Sequence, residues 1–243
     1  MANERRQFLA AAGVLGVAVL APSSSLLGGA RLKSGPDDDK DKKNQKGKEE
    51  EEVSAPEDLM REHGVLNRIL LIYEEGLKRL RSKEEVPPEA FSKPANLVRK
   101  FVEDYHEKLE ENFIFPEFEK RRKLVDLVKT LREQHQAGRH VTDIIIRNAT
   151  ASQFHKEGAR QEVVQACTAF IRMYRPHEAR EDTVLFPALH KIMPAKELDA
   201  LGDKFEEEEN RLFGDEGFEK TVDQVAAIEK QLSIYDLGKF TPK

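Results

Sequence analysis

The chain has 243 residues, one cysteine, no tryptophan and a formal net charge of −5, with 35% of its residues charged. That mildly acidic balance argues against nucleic acid as a partner, because phosphate binding needs a basic face, and the lone Cys167 excludes an intrachain disulfide. Only 14 glycines and 11 prolines are present, too few for an all-β protein with many turns, so a helical domain with extensions is expected.

Residues 1–30 open with Arg5-Arg6, continue through an apolar run from about Phe8 to Leu20 and end in Gly28-Gly29-Ala30. This is the layout of an export signal peptide, with an apolar core too short for a comfortable membrane span. The stretch ERRQFLA resembles the twin-arginine motif, with Glu4 where Ser or Thr is usual. The resemblance implies the Tat export machinery as a partner and an exported, periplasmic protein that crosses the membrane already folded. An ordinary secretory signal is the alternative, and an uncleaved leader would leave the protein membrane-anchored. Residues 31–54 include SGPDDDKDKKNQKGKEEEE; with almost nothing apolar to bury, they read as a disordered, charged linker.

From Pro56 onward the pattern is helical. Leu59, His63, Leu66, Leu70 and Tyr73 recur at steps of three and four and form one face of a first helix. VPPEAFSKP breaks it. A second helix is expected over about 96–120, with Phe101, Tyr105, Leu109 and Phe113 on one face. A third is expected over about 124–148, with Leu127, Leu131, His135 and Ile145 inward, and a fourth over about 154–192. Pro176 interrupts the fourth pattern directly before His177 and predicts a kink or restart that would aim that histidine. Two shorter amphipathic stretches follow, about 195–213 and 215–233, before an extended tail. The expected fold is all-α: an antiparallel four-helix bundle over residues 55–193, with a C-terminal helical extension over 194–243.

The bundle region repeats itself. YHEKLEENFIFPEFEK, at 105–120, returns as PHEAREDTVLFPALHK at 176–191. Each copy carries a histidine and, four residues on, a glutamate: His106 with Glu110, and His177 with Glu181. Each continues into a Phe-Pro pair at the same offset, Phe115-Pro116 and Phe186-Pro187. Residues four apart on a helix differ by about 40° around the axis and about 6 Å along it. Imidazole and carboxylate therefore face the same way and can reach a common metal. Each pair is preceded by a helix with one histidine, His63 or His135. The first-helix histidines stand 72 residues apart and the second-helix ones 71. Two such helix pairs packed about an approximate twofold axis would bring four histidines and two carboxylates to one level of the core. A lone His–Glu pair on a helix is usually solvated or salt-bridged, but six ligand types in matching order point to metal binding.

These motifs resemble the hemerythrin-like, or HHE cation-binding, family over about residues 55–193. The resemblance implies a four-helix bundle holding a non-haem di-iron centre, two iron ions with an oxo bridge. Its ligands would be His63, His106, Glu110, His135, His177 and Glu181, the carboxylates bridging the irons. Asp182 competes with Glu181, because oxygen-carrying members use an aspartate five residues after the last histidine. Those members also have a further histidine four residues after the third; here that position is Arg139, while His140 lies about 140° away from His135 around the helix. The four-histidine, two-carboxylate set is similar to the iron-centre repair branch, without that branch's cysteine-containing N-terminal module.

The remaining polar residues have plainer readings. His155 and His190 read as surface residues, Glu107 and Glu178 as solvated, Arg139 as a salt-bridge partner and Cys167 as a small packed residue. KFEEEENRLF reads as a charged helix face. An imidazole–carboxylate set without thiolate suits iron first, then manganese or zinc. The sequence shows no substrate pocket, no base distinct from the ligands and no cofactor motif. The leading expectation is thus an exported di-iron protein that binds or responds to dioxygen, peroxide or nitric oxide, or handles iron. A peroxidase-like or nitric-oxide-reducing oxidoreductase is the second reading, and a metal-free structural bundle the third.

Overall fold

The computed structural model describes residues 53–242. The expected export leader and all but the last two residues of the expected charged linker lie outside the described residues. Six helices and no strand occur among the described residues. Helix α1 spans Ala55–Arg81. Its start is written locally: Ser54 caps it, the Glu57 carboxylate accepts the Ser54 backbone N–H at 2.9 Å, and Pro56 occupies the first turn. Lys78, Arg79 and Arg81 face the negative end of the helix dipole in the last turn.

Helix α2 covers residues 89–121, beginning earlier than the periodicity alone suggests. Only Pro87-Pro88 acts as the break. Pro94 is carried inside the helix, where Ala90, Phe91 and Ala95 are buried, and Phe91 stacks against Tyr73 with ring centroids 6.5 Å apart. Burial of that apolar face offsets the hydrogen bond that proline cannot make. Helix α3 spans Val125–Asn148, and α4 covers residues 157–192. Phe154, expected to start α4, sits in the preceding turn and packs on Phe91 instead, with centroids 5.5 Å apart.

At Pro176, where a kink or restart is expected, there is no restart: the helix runs through the proline. The irregularity falls later. At Glu181–Leu185 the helix widens into a π turn, in which the Phe186 N–H donates five residues back to the Glu181 carbonyl. Helix α2 widens in the same way at Glu110–Ile114, where the Phe115 N–H donates to the Glu110 carbonyl; it also has an earlier wide stretch at Val98–His106. Proline explains the matched pair. Pro116 and Pro187 follow each turn, lack an N–H and would crowd the carbonyl four residues back, and one extra residue in the turn relieves that conflict. The repeated Phe-Pro is therefore a device that opens the helix just after each glutamate of the repeat.

The four long helices close in a ring, α1 against α2 and α4, and α3 against α2 and α4. Helices α5, Ala195–Phe213, and α6, Gly217–Gln231, lie across α1 and α2. Phe213 packs on Phe101 and Tyr105, and Phe205 on Phe113. Arg68 holds the Glu229 carboxylate with two hydrogen bonds, of 2.9 and 2.6 Å.

Candidate metal centre

Four helices each bring a histidine to the same level of the core: His63 from α1, His106 from α2, His135 from α3 and His177 from α4. All four rings are buried, and their Nε2 atoms point inward. His63 Nε2 lies 3.1 Å from His106 Nε2, and His135 Nε2 lies 3.3 Å from His177 Nε2. Glu110 and Glu181, both 0% exposed, stand between these pairs. Glu110 Oε2 is 3.7 Å from His106 Nε2 and 3.4 Å from His135 Nε2. Glu181 Oε2 is 3.1 Å from His177 Nε2 and 3.4 Å from His63 Nε2. Each carboxylate thus reaches one imidazole of its own helix and one of the opposite half, the placement a bridging ligand requires.

The backs of the rings are tied as carefully as the fronts are left open. His106 Nδ1 meets Glu62 at 2.7 Å and His63 Nδ1 meets Asp182 at 2.7 Å. His135 Nδ1 meets Glu111 at 3.2 Å and His177 Nδ1 meets Gln134 at 2.9 Å. Phe186 stacks on the His63 ring and Phe115 on the His135 ring, with centroids 5.6 and 5.5 Å apart. The Phe of each Phe-Pro pair therefore seats a histidine of the other half of the repeat.

The inner donors are suited to cations. None of the four oxygens of Glu110 and Glu181 has an aligned hydrogen-bond donor, although all are buried. Buried carboxylates without donors are costly, and a positive ion between them removes that cost. Without one, burial and the neighbouring Glu181 charge push the Glu110 carboxyl well above its usual range. Burial opposes ionisation of Glu181 as well, but the His177 and His63 imidazoles outweigh it and hold that carboxyl low. Burial likewise works against a charged His63, yet Asp182 and Glu181 prevail and raise it to about 10; burial lowers His135 to about 4. His63, His106 and Glu110 offer three ligand atoms within 4.8 Å of one another, and so do His135, His177 and Glu181. Imidazole and carboxylate without thiolate, with outer partners fixing each ring, form a donor set that can hold metal ions.

Six of the seven residues singled out in the sequence thus converge at one level of the bundle core. Asp182, the alternative to Glu181, does not: it lies one step around the helix, on the outer side of His63. Sequence reasoning missed Glu62, Gln134 and Glu111 behind the rings and gave Asp182 a different role. Their signal was present in the repeat, because Glu62 and Gln134 each precede a first-helix histidine, and Glu111 and Asp182 each follow a glutamate of the repeat. Glu107 and Glu178, read as solvated, are 1% and 2% exposed. A neighbouring helix covers each. Tyr174 donates to Glu107 at 2.7 Å and Arg139 pairs with its other oxygen at 2.7 Å, while Asn67 donates to Glu178. Burial pushes both carboxyls up to about 8. Glu107, Glu111 and His135 form a third cluster of potential ligands, but the Arg139 guanidinium already bridges its two carboxylates. Cys167 is buried in the apolar core, and His155 and His190 are exposed.

Comparisons with known proteins agree with this arrangement. The family model described as the hemerythrin HHE cation binding domain matches residues 54–189, and matches again over 126–229. Proteins of Mycobacterium bovis and of two strains of Mycobacterium tuberculosis, each described as uncharacterized, are 52% identical to this chain over 190 residues. That alignment covers 78% of this chain and 74% of theirs. No solved structure matches significantly.

Proposed function

We propose, for a chain that belongs to the hemerythrin HHE cation-binding domain family, that it is an exported non-haem di-iron protein that binds or responds to dioxygen, peroxide or nitric oxide. The observation that carries this reading is the pair of buried carboxylates with no aligned hydrogen-bond donor, Glu110 and Glu181, set between four inward-pointing imidazoles. Iron is the first choice for such a nitrogen–oxygen set, with manganese and zinc behind it. A bound pair of iron ions would supply redox chemistry and open coordination positions to a small ligand. His63 and His106 would hold one ion, His135 and His177 the other, with Glu110 and Glu181 shared between them.

The protein's own residues do the rest. Glu62, Asp182, Glu111 and Gln134 hold the imidazoles with Nε2 inward. Phe115 and Phe186 lie flat against two of the rings and exclude water there. The leader at residues 1–30 supports export to the periplasm by the twin-arginine route. Elemental analysis of the purified protein, with an optical spectrum before and after peroxide or nitric oxide, tests the proposal. About two iron atoms per chain and a ligand-sensitive spectrum are expected. Less than one metal per chain, with melting unchanged by chelation, would return the protein to a purely structural bundle.

A further inference from the structure

The end of the bundle where α2 turns into α3 carries residues that the metal cage does not use. The turn reads KRRKLV over 120–125. Lys120, Arg122 and Lys123 are exposed, and so is Lys191 in the last turn of α4. None of these four cations forms an ion pair among the described residues. Arg121, by contrast, is tied to Glu117 and Glu197, and Arg132 takes Glu119 at 3.2 Å. Residues 120–126 contain one acid, Asp126. A patch of positive charge is thus left on a chain whose net charge is −5.

Two large apolar side chains stand among these cations: Leu124 is 36% exposed and Val125 43%. Leu124 also holds a left-handed backbone, φ 49°, as does Arg122 at φ 53°. Glycine or asparagine meets that conformation at less cost, so a half-exposed leucine there serves neither the backbone nor the core, which points to a role outside the fold. The helix dipoles favour cations in the last turns of α2 and α4; that accounts for part of the charge, but not for Leu124 and Val125 beside it. Next to the turn lies a pocket of about 570 Å³, lined by Lys123, Lys191 and Thr183 and otherwise by apolar residues that include Leu124, Val184 and Ile192. Cations around an apolar recess match a ligand with an anionic head and an apolar body. We infer that this end of the bundle docks on an anionic phospholipid surface, the basic side chains meeting the phosphates and Leu124 and Val125 entering the boundary of the acyl chains. No helix among the described residues is long and apolar enough to cross a membrane, so this contact is peripheral.

The test is flotation of the full chain with vesicles of phosphatidylcholine alone and of phosphatidylcholine mixed equally with phosphatidylglycerol. Tighter binding to the mixed vesicles, weakened by salt, is expected. Lys123→Gln and Lys191→Gln should each weaken it about fivefold, the worth of one cation at such a surface. Leu124→Asn removes the apolar contact yet suits the left-handed backbone, so it should melt no lower than the parent and bind the mixed vesicles severalfold more weakly. Residues 1–52 are the same in every variant, so the differences report on this end of the bundle alone. Circular dichroism checks folding, and Lys191→Gln, on an exposed helix position, decides the matter if a turn variant does not fold. A parent protein that binds both vesicles alike, or folded variants that all bind the mixed vesicles as tightly as the parent, would overturn the inference. Equally tight binding to soluble polyglutamate, with Leu124→Asn without effect, would make the patch a site for acidic partners in general and overturn the lipid reading.

Discussion

Glu110 and Glu181 do the work no neighbour can share, since each lies between imidazoles from both halves of the repeat. Glu110→Ala and Glu181→Ala are each expected to lose most of the bound metal by elemental analysis. Asp182→Ala removes only a partner behind His63; it should keep metal at saturation and lower affinity about tenfold. The reverse ranking would make Asp182 the bridge. Glu178 supports a separate prediction for the metal-free protein. Burial pushes its carboxyl from 4.5 up to about 8, so the native chain keeps a proton there that the unfolded chain releases. Stability should therefore fall as pH rises between those values and level off above them. Glu178→Gln can still accept from Asn67 but cannot ionise, so urea unfolding at pH 5 and pH 8 should differ less than in the parent protein. An unchanged difference would mean that Glu178 titrates normally.

The controlling elements are the two π turns, at Glu110–Ile114 and Glu181–Leu185. Each begins at a carboxylate of the cage and ends two residues before the proline that the helix must accept. The aromatic residue ahead of the proline is thereby turned onto a histidine across the bundle. Phe186 is fully buried against His63, so Phe186→Ala leaves a cavity at the cage wall. A loss of about 3–5 kcal/mol in urea unfolding of the metal-free protein is expected, with weaker zinc binding because the ring is no longer seated. A variant that loses stability yet binds zinc as before would confine Phe186 to packing. Pro176 shows the limit of reading proline from sequence: directly before His177 the helix continues through it without a restart.

At the scale of the molecule, two helix pairs pack together, and the cage forms where they join. Neither pair holds a complete site, since each glutamate reaches a histidine of the other pair. Metal should consequently bind the folded bundle far better than the unfolded chain. A single site at a hundredfold excess of cation over Kd is worth about 2.7 kcal/mol, so Tm should rise on loading and return on chelation; no shift in either direction would sink the cage as a cation site. The sequence by itself determined the helical class, the bundle and the two Phe-Pro offsets, because periodicity and repeat spacing are local, linear properties. The six inward donors were also legible there, since residues four apart share a helix face wherever the helix lies. What only the tertiary structure decided depends on the neighbouring helix. It buried Glu107 and Glu178, about 100° around from the ligand face, under α4, α3 and α1. It turned Asp182 to the back of His63 and placed Glu62 and Gln134, adjacent to one ligand, behind another. A residue's position around its own axis is written in the chain, but what it faces is set by the helix packed against it.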